Sequence, residues 1–445
     1  MKVLVRYLVV VLLSLCPMQA WAGALEDYNE ARKNFLATAA CMAAYSNRAG
    51  NMAATGFVQE GWRVEPHKMN GDKADVKFLL AWDSKSEEDK DSYLLAVAGT
   101  ENVRDAKVDM RTNKVYFAGT TPEEFEANAA RKDMPPDAPR VHEGFNQVTQ
   151  LLLSLKSDQS NDALKGQVRM LSTILHDDKE DKVYLLGHSL GGAVVTLLAA
   201  RLHAMGVMSN QIEVISLGAP SVGNEAFVKM NEGQFSLTRI VVAGDPVPQA
   251  LRRVYGGYRH FGKEIVWQVP EALKLYTPHD MPVYMDIAMK KFHAARRQAR
   301  KEGLLPVPEP IPGKPRMYVA PIKNTLPPAL QGEFASMREC LLDQYEDILP
   351  GFVLDPGADS NAIPLYKAAN AECDLLAIAE ISAEKLQNGN DYTVSLTQTV
   401  YRVSDGSVAS VGTYVSQTKV LTPMLALFSN AKKMSADSAA WSSAK

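Results

Sequence analysis

Residues 183–192 constrain this chain more than any other stretch. A short apolar run, Val183-Tyr184-Leu185-Leu186, leads into Gly187-His188-Ser189-Leu190-Gly191, and helix-compatible residues 193–200 follow. Strand, tight turn and helix in that order form a nucleophile elbow, which holds a serine hydroxyl above a parallel sheet in a strained turn. Glycine is required on both flanks because a Cβ would clash where strand and helix pack closely. The helix start also aims backbone N–H groups at the site, where they suit a developing negative charge. A bare Gly-x-Ser-x-Gly arises by chance in loops; the readable strand and helix around this one make Ser189 the candidate nucleophile.

An elbow needs a sheet to sit in, and the flanking pattern supplies one. Strand-like runs at 61–64, 76–82 and 93–97 precede it, and buried runs at 212–217 and 237–242 follow. Helical stripes at 25–47, 145–155 and 164–175, a helix start at Thr121-Pro122-Glu123-Glu124 and a short helix at 224–231 alternate with them. That alternation predicts an α/β fold, a mainly parallel sheet covered on both faces. Proline-rich residues 304–312 read as an extended linker. Beyond them, strands at 317–322, 352–354, 375–381, 392–402 and 409–416 and helices at 329–349 and 363–371 predict a smaller α/β (α+β) domain, with Asp405-Gly406 turning its last hairpin. At 445 residues two domains are expected.

The amino terminus has the form of a secretory signal over residues 1–22. Lys2 and Arg6 are basic, 7–15 are apolar, and Ala20-Trp21-Ala22 precedes Gly23 as a cleavage site. The apolar run is about half the roughly 20 residues of a membrane span. An exported protein, periplasmic or secreted, is expected. Formal charge is −3, and loss of the two cations Lys2 and Arg6 makes it −5, which gives no support to nucleic-acid binding. Three cysteines remain: Cys340 and Cys373 are expected to pair, with Cys41 a buried thiol. The predicted organisation is therefore 1–22 signal, 23–289 hydrolase-like domain, 290–315 basic helix and linker, 316–433 accessory domain and 434–445 flexible tail.

A serine nucleophile needs a base to take its proton and a carboxylate to orient that base. Asp245, in Ala243-Gly244-Asp245-Pro246, follows the apolar run 237–242, and the carboxyl end of a strand is where such an acid belongs. Two histidines compete for the base: His260 in Gly257-Tyr258-Arg259-His260-Phe261-Gly262, and His279 in Tyr276-Thr277-Pro278-His279-Asp280.

Five motifs in order over residues 97–248 resemble the class 3 lipases, the fungal-lipase-like branch of the α/β-hydrolases. They are Val97-Ala98-Gly99-Thr100, Val141-His142-Glu143-Gly144-Phe145, the elbow, Leu217-Gly218-Ala219-Pro220-Ser221-Val222-Gly223-Asn224, and Asp245-Pro246-Val247-Pro248. The resemblance covers about residues 25–289. It implies that the segment with His260 is a structural strand pair and that His279, shortly before Tyr284, is the base. It also implies an oxyanion hole made by the backbone N–H groups of Thr100 and Leu190, with His142 and His188 packed near the site. The chain departs from the family at Ala98 and Ser221, which stand where arginines are usual, and it lacks a tryptophan after Thr100 while keeping Asp109.

That resemblance implies a serine carboxylester hydrolase of the lipase, esterase or phospholipase kind, acting on lipid or acyl esters through an acyl-enzyme. The segment 101–110, where the family has its lid, is mostly charged, which favours soluble or amphiphilic esters. Phe117 and Phe125 are the only aromatics between residues 117 and 140, so the cover reads as polar, and this insertion would be the first place to look for an interfacial lid only if activity rose steeply at the substrate's solubility limit. No His-Glu-x-x-His, cysteine cluster or calcium loop is present, so no metal or cofactor is expected. The cations Lys290, Lys291, Arg296, Arg297, Arg300 and Lys301 could touch anionic membrane headgroups, but with few apolar neighbours they read as a solvated linker helix. In pattern alone, the carboxyl-terminal domain resembles small envelope domains such as the amino-terminal domain of TolB, which implies docking to an envelope protein. A second reading is an envelope adaptor with a vestigial hydrolase domain and a partner-binding carboxyl-terminal domain. The presence of every triad residue type weighs against it.

Overall fold

The computed structural model describes residues 2–59, 62–70, 75–83, 92–99, 113–153, 175, 179–357, 363–387 and 389–442. Of the helix expected at 164–175, all but Leu175 lies outside these, as does the charged segment 101–110. The chain divides into two compact units, one of Leu36–Val269 with Thr277–Met285, the other of Met1–Phe35, Pro270–Tyr276 and Asp286–Lys445.

In chain order the elements through the first unit are α1 (Lys2–Ala44), α2 (Arg48–Gln59), β1 (Arg63–Asn70), β2 (Asp75–Asp83), β3 (Ser92–Val97), β4 (Lys114–Tyr116), α3 (Pro122–Ala129), β5 (Arg140–His142) and α4 (Glu143–Leu153). They continue with β6 (Lys182–His188), α5 (Leu190–Ala204), β7 (Ile212–Leu217), α6 (Glu225–Asn231), β8 (Ser236–Val242), α7 (Val247–Tyr255), β9 (Lys263–Trp267) and α8 (Met281–Lys301). Helices α1 and α8 each contribute residues to both units.

Seven strands form one sheet in the order β1-β2-β3-β6-β7-β8-β9. The first three are antiparallel, and β3, β6, β7, β8 and β9 run parallel. The central strands are near-continuous apolar runs because both faces are covered: Leu95, Val97, Val183, Leu185 and Val214 are all fully buried. Helix α5 is buried from Gly191 to Leu202, which is why its sequence shows no polar face. Thr121 caps α3 by accepting the Glu124 N–H, and Asn224 caps α6 by accepting the Phe227 N–H, as their residue types predict.

Phe117 and Phe125 present no lipid-facing surface. Both are buried, at 2% and 0% exposure, and they enclose Arg201, whose guanidinium carbon lies 3.6 Å and 4.0 Å from the two ring centroids. Arg201 donates to the Ala118 carbonyl and the Asn146 side chain, both at 3.2 Å, and burial pushes its pKa down to about 9. The rings solvate a buried cation rather than a membrane.

The second unit contains β10 (Met317–Val319), β11 (Lys323–Thr325), α9 (Phe334–Ile348), β12 (Val353–Leu354), α10 (Pro364–Asn370), β13 (Leu375–Lys385), β14 (Tyr392–Arg402), β15 (Val408–Gln417), α11 (Pro423–Ala436) and α12 (Ala439–Ser442). Its sheet runs β12-β10-β13-β14-β15, with β11 beside β13. Parallel β12, β10 and β13 join an antiparallel β13-β14-β15 meander, an α+β arrangement.

Three expectations are corrected here. Residues 290–301 are not a solvated linker. Lys290 pairs with Asp286 at 2.7 Å and Glu333 at 2.5 Å, His293 with Asp343 at 2.8 Å, and Arg296 with Asp343 at 2.7 Å; Arg300 pairs with Glu346. These cations are spent on carboxylates of their own unit, which leaves them poorly placed to hold headgroups. Cys340 and Cys373 are unpaired thiols. Cys340 lies on α9, the helix whose Tyr345 bonds Gln398 of β14. Cys373 packs with Tyr318, Ala320, Ala368 and Leu376. Strand alternation puts Leu376 on the face opposite to Ala379, the residue paired with Gln398, so the sheet separates the two thiols. The tail is not loose through its length: α11 and α12 carry it to Ser442, and Met434 and Trp441 are buried at 0% and 1% exposure.

Candidate active site

Ser189 sits between β6 and α5 with φ 57° and ψ −126°, a conformation that costs a non-glycine residue about 1–3 kcal/mol. Its N–H bonds the Leu217 carbonyl at 2.9 Å, which anchors the turn to β7. The flanking glycines are sterically required. A Cβ on Gly187 would overlap the Gly191 carbonyl, one on Gly191 would overlap the Val97 carbonyl, and one on Gly192 would lie 2.7 Å from Ala219 Cβ.

Asp245 leaves the carboxyl end of β8 in a turn closed by its N–H to the Val242 carbonyl at 3.0 Å. His279 comes from the turn before α8, where the Asp280 N–H bonds the Thr277 carbonyl at 2.9 Å. The three side chains converge. His279 Nε2 is 2.8 Å from Ser189 Oγ, and its Nδ1 is 2.8 Å and 3.0 Å from the two oxygens of Asp245. His279 is 1% exposed, and Ser189 and Asp245 are each 7% exposed. The remaining capacity of the carboxylate is filled by the Val247 N–H at 2.9 Å and the Tyr284 hydroxyl at 2.7 Å.

Tyr284 was not anticipated as part of this array. Its hydroxyl donates to Asp245 Oδ2 and accepts the Val242 N–H at 3.0 Å, so it ties the acid to the end of β8. Burial, and then the Asp245 charge, push its pKa well above the usual phenol value, so it stays a donor. The sequence signal was its place in the first turns of the helix that follows His279. Tyr284→Phe should lower kcat about tenfold with KM unchanged, and should cost about 1–2 kcal/mol because the Val242 N–H is left buried and unpaired. Steady-state kinetics beside a urea melt check both numbers, and an unchanged kcat would remove Tyr284 from the array. Gly218, at φ 57°, backs the same cluster; a Cβ there would lie 2.7 Å from Asp245 Oδ2 and 2.8 Å from the Tyr284 hydroxyl.

His188 stacks on His279 with ring centroids 4.8 Å apart. His142 instead caps α4, its Nδ1 accepting the Gly144 and Phe145 N–H groups at 3.1 Å and 3.4 Å. His260 donates from Nε2 to the Pro248 carbonyl at 2.7 Å, and burial holds its pKa down at about 4. It braces the start of α7, and its bond to Pro248 does not join the array. Leu190 is the first residue of α5, where backbone N–H groups have no partner within the helix. Thr100 lies outside the described residues. Gly99 before it is at the site: a Cβ there would lie 2.7 Å from Ser189 Cβ. Ala98 and Ser221 are buried at 3% and 1% exposure, so closed packing stands where the family's arginines would be. Among the described residues no group of three or more His, Cys, Asp or Glu could hold a metal ion. The array can withdraw the hydroxyl proton as Ser189 attacks an electrophilic carbonyl, with Asp245 balancing the imidazolium.

Residues 94–254 match the family described as Lipase (class 3). Secreted mono- and diacylglycerol lipase 1 of Fusarium solani is 35% identical over 108 residues, 24% of this chain and 31% of that protein. Secreted mono- and diacylglycerol lipase A of Penicillium cyclopium is 32% identical over 97 residues, 22% of this chain and 31% of that protein. The solved structure of lipase II from Rhizopus niveus is 20% identical, with a TM-score of 0.39, over 58% of this chain and 83% of that one. The chain therefore spans 31% of the length of the curated relatives it matches. The stretch that matches the class 3 lipase family, residues 94–254, carries both Ser189 and Asp245.

Proposed function

We propose that this chain is an exported serine carboxylester hydrolase that cleaves acyl esters through an acyl-enzyme. The observation that carries the reading is the continuous hydrogen-bonded path from Asp245 through His279 to Ser189. Ser189 Oγ attacks the acyl carbonyl carbon as His279 Nε2 takes its proton, and the same proton passes to the departing alkoxide. Water, deprotonated by His279, then releases the acid and restores the hydroxyl. The N–H groups of Leu190 and Thr100 stabilise the tetrahedral oxyanion, each donor worth about 3 kcal/mol.

The relatives named secreted mono- and diacylglycerol lipases favour partial glycerides as the ester, and the charge of residues 101–110 favours molecules that are soluble or amphiphilic. Export is supported by the signal-like residues 1–22 and by the relatives' names. The test uses a fluorophosphonate probe and a p-nitrophenyl acyl ester below its solubility limit. Wild-type protein should be labelled and should turn the ester over; Ser189→Ala should lose the label and at least about 10⁴ of the rate. Equal labelling of the two proteins would end the proposal.

A further inference from the structure

Tyr45, one residue past α1, and His188, the last residue of β6, are buried at 8% and 3% exposure. The Gly99 N–H donates to the Tyr45 hydroxyl oxygen at 3.0 Å. That oxygen is 2.6 Å from His188 Nδ1, and His188 Nε2 is 2.9 Å from the His279 carbonyl. One proton arrangement satisfies these three contacts together. Tyr45 accepts from Gly99 and gives its own proton to Nδ1, so the ring proton of His188 is on Nε2 and is donated to the His279 carbonyl. Burial, and then the neighbouring His279, depress the His188 pKa well below the usual imidazole value, in keeping with a neutral ring.

We infer that Tyr45 and His188 are positioning residues, forming a one-way relay that ties the backbone of the base, His279, to Gly99, the residue leading into the oxyanion donor Thr100. The inference rests on the hydrolase reading. The relay passes through the residue immediately before the nucleophile, so base, nucleophile and oxyanion strand share one hydrogen-bonded frame. Tyr45→Phe strips Gly99 of its acceptor and Nδ1 of its donor. His188 can then carry its proton on Nδ1, which turns an Nε2 lone pair towards the His279 carbonyl and releases the base's backbone.

The test has two arms on the full chain. Imidazole ¹⁵N resonances, with His188 identified by their loss in His188→Phe, should show a neutral ring protonated at Nε2 between about pH 6 and 8, and the pattern should shift towards Nδ1 in Tyr45→Phe. Acylation by a p-nitrophenyl ester should slow about 10- to 100-fold in Tyr45→Phe and in His188→Phe, with KM within about threefold. The double variant should be no more than about threefold slower than the worse single. A charged or Nδ1-protonated His188 in the wild type, losses that multiply, or Tyr45→Phe within about twofold of wild type would overturn the relay. A wild type that hydrolyses no ester would defeat the hydrolase reading instead, while the ¹⁵N arm still decides the relay.

Discussion

His279→Ala should leave a folded protein whose ester hydrolysis is slower by about 10⁴- to 10⁶-fold. The loss is large because the imidazole bridges the two other groups, 2.8 Å from Ser189 Oγ on one side and 2.8 Å from Asp245 Oδ2 on the other. The fold survives because Asp245 keeps two donors, the Val247 N–H and the Tyr284 hydroxyl, and is not left as a bare buried charge. His260→Ala should do the opposite. It removes the bond to the Pro248 carbonyl and should cost about 1–3 kcal/mol of stability, with kcat within a few-fold of wild type. Kinetics and urea melts on the two variants separate the roles. A folded, inactive His260→Ala beside an active His279→Ala would reverse the assignment.

Gly191→Ala should be the most destabilising single methyl in the unit that holds the seven-stranded sheet, at about 4 kcal/mol or more, with little soluble protein recovered. The new Cβ would overlap the Val97 carbonyl, and Val97 is a fully buried residue paired with Gly187 in the parallel β3-β6 ladder. Neither backbone can move without breaking the sheet at the point where Gly99 leaves it. Gly332→Ala is the control, since a Cβ there meets nothing within 4 Å and should change stability by less than about 0.5 kcal/mol. Thermal melts of the two variants check the contrast; a Gly191→Ala protein melting with the wild type would mean the elbow tolerates looser packing than its geometry allows.

The elbow was legible in the chain because its whole cause is local: apolar strand, glycine, serine, glycine and helix are contiguous, and each glycine excludes a Cβ from a neighbour a few residues away or in the adjoining strand. The same holds for the Thr121 and Asn224 caps, for the Asp405-Gly406 hairpin, and for Asp245, whose place at a strand end is a property of its own segment. Tertiary packing decided the rest. His260 and His279 lie in comparable short loops, and without a family resemblance nothing in either loop says which ring reaches Ser189, 90 residues from His279 in sequence. Tyr45 meets His188 across 143 residues and Tyr284 meets Asp245 across 39, distances at which periodicity carries no information. Helix α8 read as solvated because, apart from Asp286 on the helix itself, the carboxylates that pair with its cations are Glu333 and residues Asp343 and Glu346 of α9, far along the chain. Cys340 and Cys373 read as partners because sequence separation measures chain length, whereas strand alternation decides which face of a sheet a thiol occupies. Nothing in the sequence around Phe117 and Phe125 points to Arg201, because only the folded unit brings that cation between the two rings. Backbone preference and steric exclusion act over a few residues and leave a pattern in the chain; charge pairing, ring stacking and the choice of sheet face act through space and leave none.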